Sequence, residues 1–70
     1  MKPSIGRVVH YKSYGTPGGE HKSEPQAAII TGVVGDDTVH LCVLYDNGMS
    51  FKHDVKQGSE GGQWDWPPRV

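Results

Sequence analysis

Several features that define common classes of small protein are missing from this sequence. Cys42 is the only cysteine, so no disulfide can form within the chain, and a lone free cysteine is typical of a reducing compartment. No apolar run is long enough to span a membrane, and the N-terminus lacks the apolar region of a secretory signal. We therefore expect a cytoplasmic protein with no membrane association.

An excess of one charge is also missing. Seven basic residues are scattered among eight acidic ones, which gives a net charge of −1 with histidine neutral. Binding to a long nucleic acid usually needs a basic stripe that neutralises many phosphates, and the scatter argues against such a stripe. A small anion, which needs only two or three donors, remains a candidate ligand.

Helical periodicity is the third absence. No segment has the apolar spacing of an amphipathic helix, and glycine or proline interrupts every candidate window. The β-branched and aromatic residues cluster in short runs instead, as is typical of strands. The sequence predicts five strands at residues 5–11, 26–34, 38–45, 49–55 and 63–66.

The order of these segments predicts one all-β domain over residues 1–70, a small five-stranded SH3-like barrel with a long loop at 12–25. An open sheet completed by a second subunit is the alternative. Only 34% of the chain is hydrophobic, and small cores with so little apolar content are often stabilised by self-association. We therefore expect a homo-oligomer.

The Asp46-Asn47-Gly48 segment is the strongest turn signal in the chain. A two-residue turn at Asn47-Gly48 would divide the apolar residues of the hairpin between two faces. A three-residue loop with Gly48 at a left-handed bulge position gathers them on one face. We therefore predict a register in which Tyr45 and Phe51 face the core, with the pairs Tyr45–Met49, Val43–Phe51 and Val39–Val55.

Residue sets with catalytic or metal-ligating spacing are not evident. There is no Gly-x-Ser-x-Gly turn, and a cysteine in mid-strand is typical of a packed side chain. His40 and Cys42 share a strand face that Asp54 would approach, but a structural zinc site needs a fourth ligand. We predict no enzymatic activity, no metal and no cofactor.

The loop Tyr14-Gly15-Thr16-Pro17-Gly18-Gly19 is a candidate for ligand contact. Successive glycine amides can converge on an anion, and Thr16 adds a hydroxyl group while Lys12 adds charge. A plain Pro-Gly turn is the alternative interpretation. Both remain open from the sequence alone.

Aromatic residues border this loop and form the last strand. Trp64 and Trp66 fall on one face of that strand, where indoles can stack on a planar ligand or pack as a lid over the barrel. The candidate ligand-binding residues are Tyr11, Lys12, Tyr14, Gly15, Thr16, Pro17, Gly18, Gly19, Trp64, Trp66 and Arg69.

The Y-G-T-P-G-G loop, the A-A-I-I-T-G-V strand and the closing W-D-W-P-P-R-V give the chain a resemblance to a group of short proteins encoded by bacteriophages and prophages. The resemblance covers most of the chain. It implies an accessory protein of the host cytoplasm that sequesters a small ligand, such as a cyclic nucleotide immune signal. The alternatives are an SH3-like adaptor that binds a host protein or peptide through Tyr11, Tyr14 and Trp64, and a structural phage component.

Overall fold

The computed structural model describes residues 2–14, 24–46 and 48–68. These residues form five strands and no helix, which confirms the predicted all-β class. The strands are β1 (Val8–Lys12), β2 (Pro25–Val33), β3 (Thr38–Tyr45), β4 (Gly48–Lys56) and β5 (Trp64–Asp65).

β1 begins three residues later than predicted. Gly6 has a φ of 93°, which is left-handed backbone that glycine tolerates and that interrupts an extended strand. The turn is closed by the amide of Arg7, which donates to the carbonyl of Ser4 at 3.3 Å, while the amide of Gly6 donates to Ile30 at 2.8 Å. The chain therefore already contacts Ile30 of β2 at Gly6 and becomes regular strand only at Val8.

The strands form one antiparallel sheet in the order β4-β3-β2-β1-β5. The sheet curls into a half-barrel, because the end of β4 approaches β5 through a bridge between Gln57 and Trp64. The amide of Gly58 also donates to the carbonyl of Trp64 at 2.9 Å. Contact between β4 and β5 is confined to this end, so the rest of β4 is an edge of the sheet.

The concave side of the sheet holds the core. Alternate residues of every strand point into it, as the period of two requires, and Trp64 is its largest fully buried side chain. The indole Nε1–H of Trp64 donates to the carbonyl of Asp37 at 3.0 Å, so its polar atom is paired. The buried core residues are Val9, Tyr11, Ala28, Ile30, Val39, Leu41, Val43, Val55 and Trp64.

The predicted register at the tip of the β3–β4 hairpin is wrong by one residue. Tyr45 pairs with Gly48, which leaves a two-residue loop, and Phe51 pairs with Cys42 instead of Val43. The side chain of Phe51 consequently points away from the core and is 66% exposed. Tyr45 does pack against the core, as predicted.

A β-bulge explains why the other end of the same hairpin was predicted correctly. Two residues of β4, His53 and Asp54, lie opposite His40, and beyond them Val39 pairs with Val55 as expected. Asp54 adopts a φ of 54°, a left-handed conformation that aspartate tolerates better than most side chains do. An unbroken ladder would keep one register along the whole hairpin, whereas the bulge shifts the register by one residue between its two ends.

A second bulge lies on the other side of His40. The β2–β3 register shifts between Ile30 and Gly32, and a Cβ at Gly32 would lie 2.9 Å from His40 Cδ2. His40 Nδ1 accepts a hydrogen bond from the amide of Asp54 at 3.2 Å. Because bulges increase strand twist, we expect the two bulges around His40 to contribute to the curl of the sheet.

Candidate ligand-binding cleft

A solvent-open cleft of about 270 Å³ lies where β1 and β5 meet the segment that connects β4 to β5. The strand alternation of β1 directs His10 and Lys12 to the side opposite the buried Tyr11. Pairing of β1 with β5 sets Asp65 directly across from His10. The lining residues are His10, Lys12, Pro25, Gly58, Ser59, Gln63, Asp65 and Trp66.

Lys12 is fixed by both its backbone and its side chain. Its amide donates to Gln63 at 2.9 Å, and its carbonyl accepts from Gly62 at 2.8 Å. Its ammonium Nζ donates to the carbonyl of Ser59 at 3.0 Å. A lysine ammonium has three N–H donors, so Lys12 retains two that a ligand at the mouth of the cleft can accept.

Asp65 is oriented by hydrogen bonds to one of its two oxygens. Oδ1 accepts from Gln57 Nε2 at 2.9 Å and from the amide of Trp66 at 2.8 Å. A carboxylate has a second oxygen with lone pairs of its own, which provides an acceptor beside the cleft. Lys12 and Asp65 therefore give the cleft one charge of each sign.

Trp66 provides the aromatic surface of the cleft. It packs edge-on against the buried Trp64, with ring centroids 5.4 Å apart and an interplanar angle of 83°. The guanidinium carbon of Arg7 lies 5.6 Å from the Trp66 ring centroid, within the range of a cation–π contact. The half-buried Trp66 ring is thus held by neighbours while it borders open space.

The wall of the cleft formed by residues 58–63 depends on small residues. A Cβ at Gly58 would overlap the side-chain amide of Gln63, and a Cβ at Gly62 would overlap the phenol of Tyr14. Gln63 Oε1 accepts from the amide of Glu60 at 3.0 Å. The start of the long loop, through Tyr14, therefore lies against the segment that precedes β5.

The predicted site residues divide into three groups in the structure. Lys12 and Trp66 line the cleft, with the exposed Tyr14 packed on its outer wall. Tyr11 and Trp64 belong to the core, with 4% and 0% exposure, so their ring faces are covered by protein. The remaining candidates, Gly15, Thr16, Pro17, Gly18, Gly19 and Arg69, lie outside the described residues.

Burial has a direct electrostatic consequence for Tyr11. Loss of hydration raises the pKa of its phenol, and the neighbouring Tyr45 and Tyr14 raise this pKa further. Both effects disfavour the phenolate. Tyr11 is therefore a neutral core residue at any physiological pH.

Sequence reasoning missed most of the cleft lining, including His10 and Asp65. Strand alternation in β1 already placed His10 on the same face as Lys12, which was an available signal. Placing Asp65 beside His10 requires the pairing of β1 with β5. Placing Ser59 at the cleft requires the path of the loop between β4 and β5. Neither follows from local sequence patterns.

The described residues contain no group of three or more histidine, cysteine, aspartate or glutamate side chains able to hold a metal. Two of the three residues considered as zinc ligands in the sequence, His40 and Cys42, have other partners. His40 accepts the Asp54 amide, and Cys42 Sγ lies 3.9 Å from Met49 Sδ.

Comparison with protein-family models, with curated proteins and with solved structures finds no match for this chain. Throughout the described ranges there is no helix long and apolar enough to cross a membrane.

Proposed function

We propose that this chain is a non-enzymatic binding protein whose cleft between β1, β5 and the 58–63 segment takes a small anionic or nucleotide-type ligand. The observation that supports the proposal is the convergence of Lys12, Asp65 and Trp66 on one cleft. These three side chains offer a cation, a hydrogen-bond acceptor and an aromatic ring, which are the groups that a nucleotide requires.

Each group has a separate role in this proposal. The two remaining N–H donors of Lys12 bind phosphate oxygens, since a charged donor and a charged acceptor form a strong hydrogen bond. The indole of Trp66 packs against the base, a contact worth about 1–3 kcal/mol in comparable sites. The second oxygen of Asp65 accepts from an amino or imino group on the base edge, as carboxylates do with cytosine N4.

The size of the cleft limits the ligand. Its volume of about 270 Å³ lies just below the usual range of roughly 300–1,000 Å³ for ligand pockets. One nucleotide unit is the appropriate scale, and a cyclic di- or trinucleotide would extend beyond the rim. Binding of the larger ligand in full therefore requires contacts beyond the cleft.

The arrangement of the polar residues supports binding over catalysis. Ser59, His10 and Asp65 all border the cleft, but no hydrogen bond joins any two of them within the described residues. Asp65 Oδ1 is instead used by Gln57 and by the Trp66 amide. A nucleophile needs a base within hydrogen-bond reach, and that base needs an orienting partner.

The biological context in this proposal rests on the phage resemblance. A small cytoplasmic protein without catalytic groups acts by mass action, so sequestration of a nucleotide signal is a function that such a cleft can perform. The ligand leaves unchanged, and the protein must be present in amounts comparable to the signal. Long nucleic acids and membranes are not partners in this account.

An SH3-like adaptor is the second candidate, and the strand order favours it. A long connection between β1 and β2, followed by hairpins and a short β5 beside β1, is the order of SH3-like barrels. The groove expected between Tyr11, Tyr14 and Trp64 would need a different lining, because two of those rings are in the core. A stoichiometric protein partner from host lysate, retained after nuclease treatment and in excess nucleotide, would favour this function.

Calorimetry against nucleoside monophosphates and cyclic di- and trinucleotides tests the nucleotide proposal. We expect Lys12→Gln to weaken binding by about 10- to 100-fold, because a hydrogen bond to a charged group contributes roughly 1.5–3 kcal/mol. Lys56→Gln is the matched control, since it removes the same charge from an exposed position on β4. Mass spectrometry should recover the ligand unaltered. No heat across the panel, or equal affinities for the two variants, would rule the proposal out.

A further inference from the structure

The edge of the sheet formed by β4 has features that the proposed function does not use. β4 is the last strand in the order β4-β3-β2-β1-β5. Its nine residues pair with β3 on one side, and in the described part of the chain only its C-terminal end meets β5. The other side of Gly48–Lys56 is therefore a long edge.

The hairpin geometry determines which backbone groups point outward along this edge. A two-residue loop closes on a hydrogen-bonded pair, here Tyr45 and Gly48. In an antiparallel ladder such pairs alternate with pairs that are not hydrogen-bonded to each other. The amide and carbonyl groups of Met49 and Phe51 consequently point away from β3.

The same two residues present the exposed large apolar side chains of β4. Met49 is 64% and Phe51 66% exposed, and both lie on the convex face of the sheet. Phe51 ends a row of small and apolar residues that crosses four strands, through Cys42 and Ile29 to Val8. An apolar side chain beside unpaired backbone groups is unusual at an edge, because natural edges are normally protected by charge, proline or twist.

The bulge at His53 and Asp54 protects only the second half of β4. Asp54 has a φ of 54°, and the extra residue twists the strand away from a flat course. Lys52 lies just before the bulge with its ammonium directed to the concave side, 6.0 Å from the Tyr11 ring centroid. The flat, pairing-competent part of the edge is thus residues 48–52.

We propose that residues 48–52 of two copies of this chain pair antiparallel about a two-fold axis at Ser50. Met49 then exchanges both backbone hydrogen bonds with Phe51 of the partner subunit, and Phe51 does the same with Met49 of the partner subunit. Ser50 faces Ser50 of the partner subunit in a pair without hydrogen bonds. Lys52 faces Gly48 of the partner subunit, so no like charges oppose each other.

A second copy suits this edge because the segment is complementary to itself. Met49 and Phe51, whose backbone groups point outward, are separated by Ser50. A two-fold axis at Ser50 therefore pairs all of these amide and carbonyl groups with those of the second copy. Two Met49 and two Phe51 side chains also come together on the convex face. The result is a continuous sheet of ten strands. Each cleft lies beyond the C-terminal end of β4, and none of its lining residues belongs to the paired segment 48–52, so the dimer does not rest on the proposed ligand site.

Cysteine cross-linking tests the axis directly. In a Cys42→Ser background, Ser50→Cys places two thiols across a pair with Cα atoms about 4.5 Å apart, within disulfide range. We expect mild oxidation to convert most of this variant to a covalent dimer. Ser4→Cys, at an exposed position outside the sheet, should give at least about tenfold less, because its thiols meet only by collision. Equal yields from the two variants would overturn the proposal.

Sedimentation of the full chain over a range of concentrations tests the apolar contribution. We expect a dimer whose dissociation constant rises by about 100-fold or more with Phe51→Lys, since like charges then meet at the interface. Val8→Lys is the matched control, because Val8 lies in the same apolar row and is 58% exposed but is three strands away from the edge. Circular dichroism verifies that both variants fold.

Three results would refute the β4 pairing. The first is a wild-type chain that stays monomeric throughout the range. The second is equal disruption by Val8→Lys, which would indicate that the convex faces pack on each other. The third is a monomer that adds an extended segment of another protein at this edge.

Discussion

Trp64→Phe removes the side chain that closes the half-barrel, and its effect on stability can be worked out from the contacts. The indole is fully buried, donates to the carbonyl of Asp37 at 3.0 Å, and packs edge-on against Trp66. Phenylalanine keeps one ring but leaves a cavity and loses the donor. The Asp37 carbonyl stays paired, because it also accepts from the amide of Gln57 at 2.8 Å.

The expected loss is therefore intermediate. A lost hydrogen bond costs about 1 kcal/mol, and the cavity adds a similar amount, given that full truncation of a buried Trp costs roughly 3–5 kcal/mol. We expect Trp64→Phe to lower the free energy of unfolding by about 2 kcal/mol. A 70-residue chain has about 4–10 kcal/mol in total, so the variant should fold with a clearly lower urea midpoint.

Trp66→Phe is the matched control, since it makes the same chemical change at a half-buried position of the same segment. It forfeits mainly the contact with Arg7, worth about 0.5–1 kcal/mol at an exposed site. Urea unfolding followed by far-ultraviolet circular dichroism compares the two variants without relying on tryptophan emission. If Trp66→Phe is as destabilising as Trp64→Phe, the assignment of Trp64 as the residue that closes the core is wrong.

Two further substitutions test the bulge and the core. Gly32→Ala should destabilise by about 1–3 kcal/mol, the usual cost of overpacking, because the new Cβ would lie 2.9 Å from His40 Cδ2; Gly35→Ala, with open space around it, should not. Equal urea midpoints for the two would contradict this account. The raised pKa of Tyr11 means that the folded state holds this proton more tightly than the unfolded state. Stability from this group is complete below pH 10 and declines as the pH rises through the folded pKa. Tyr11→Phe should therefore lose less stability than wild type between neutral pH and pH 11, and parallel declines would refute the assignment.

The strand pattern of this chain was predictable because β-branched residues cluster between turn signals. β3 was placed to the residue, and its alternation correctly placed Val39, Leu41 and Val43 in the core. The hairpin register was not predictable, because it depends on a bulge at Asp54. Bulges depend on how neighbouring strands twist against one another, and no residue type in β4 predicts one.

The site was only partly predictable for a related reason. Lys12 and Trp66 were identified from residue type and from their position beside a loop or in the last strand. Trp64 was expected to be partly exposed, as Trp66 is. In the structure β5 closes the half-barrel, so the Trp64 indole is buried in the core and the Trp66 ring packs against it. His10 and Asp65 become neighbours through pairing between β1 and β5, which are more than fifty residues apart in sequence. Such long-range pairing cannot be read from local periodicity.

The cleft can be tested most directly by nuclear magnetic resonance titration of the isotope-labelled chain with a nucleoside monophosphate and with cyclic dinucleotides. The account predicts saturable shifts at the Lys12, Ser59 and Asp65 amides and at the Trp66 indole N–H. The indole N–H signal of Trp64, which is buried and donates to the carbonyl of Asp37, should shift less than that of Trp66. Shifts confined to β4, or none at millimolar ligand, would contradict the claim that this cleft is the binding site.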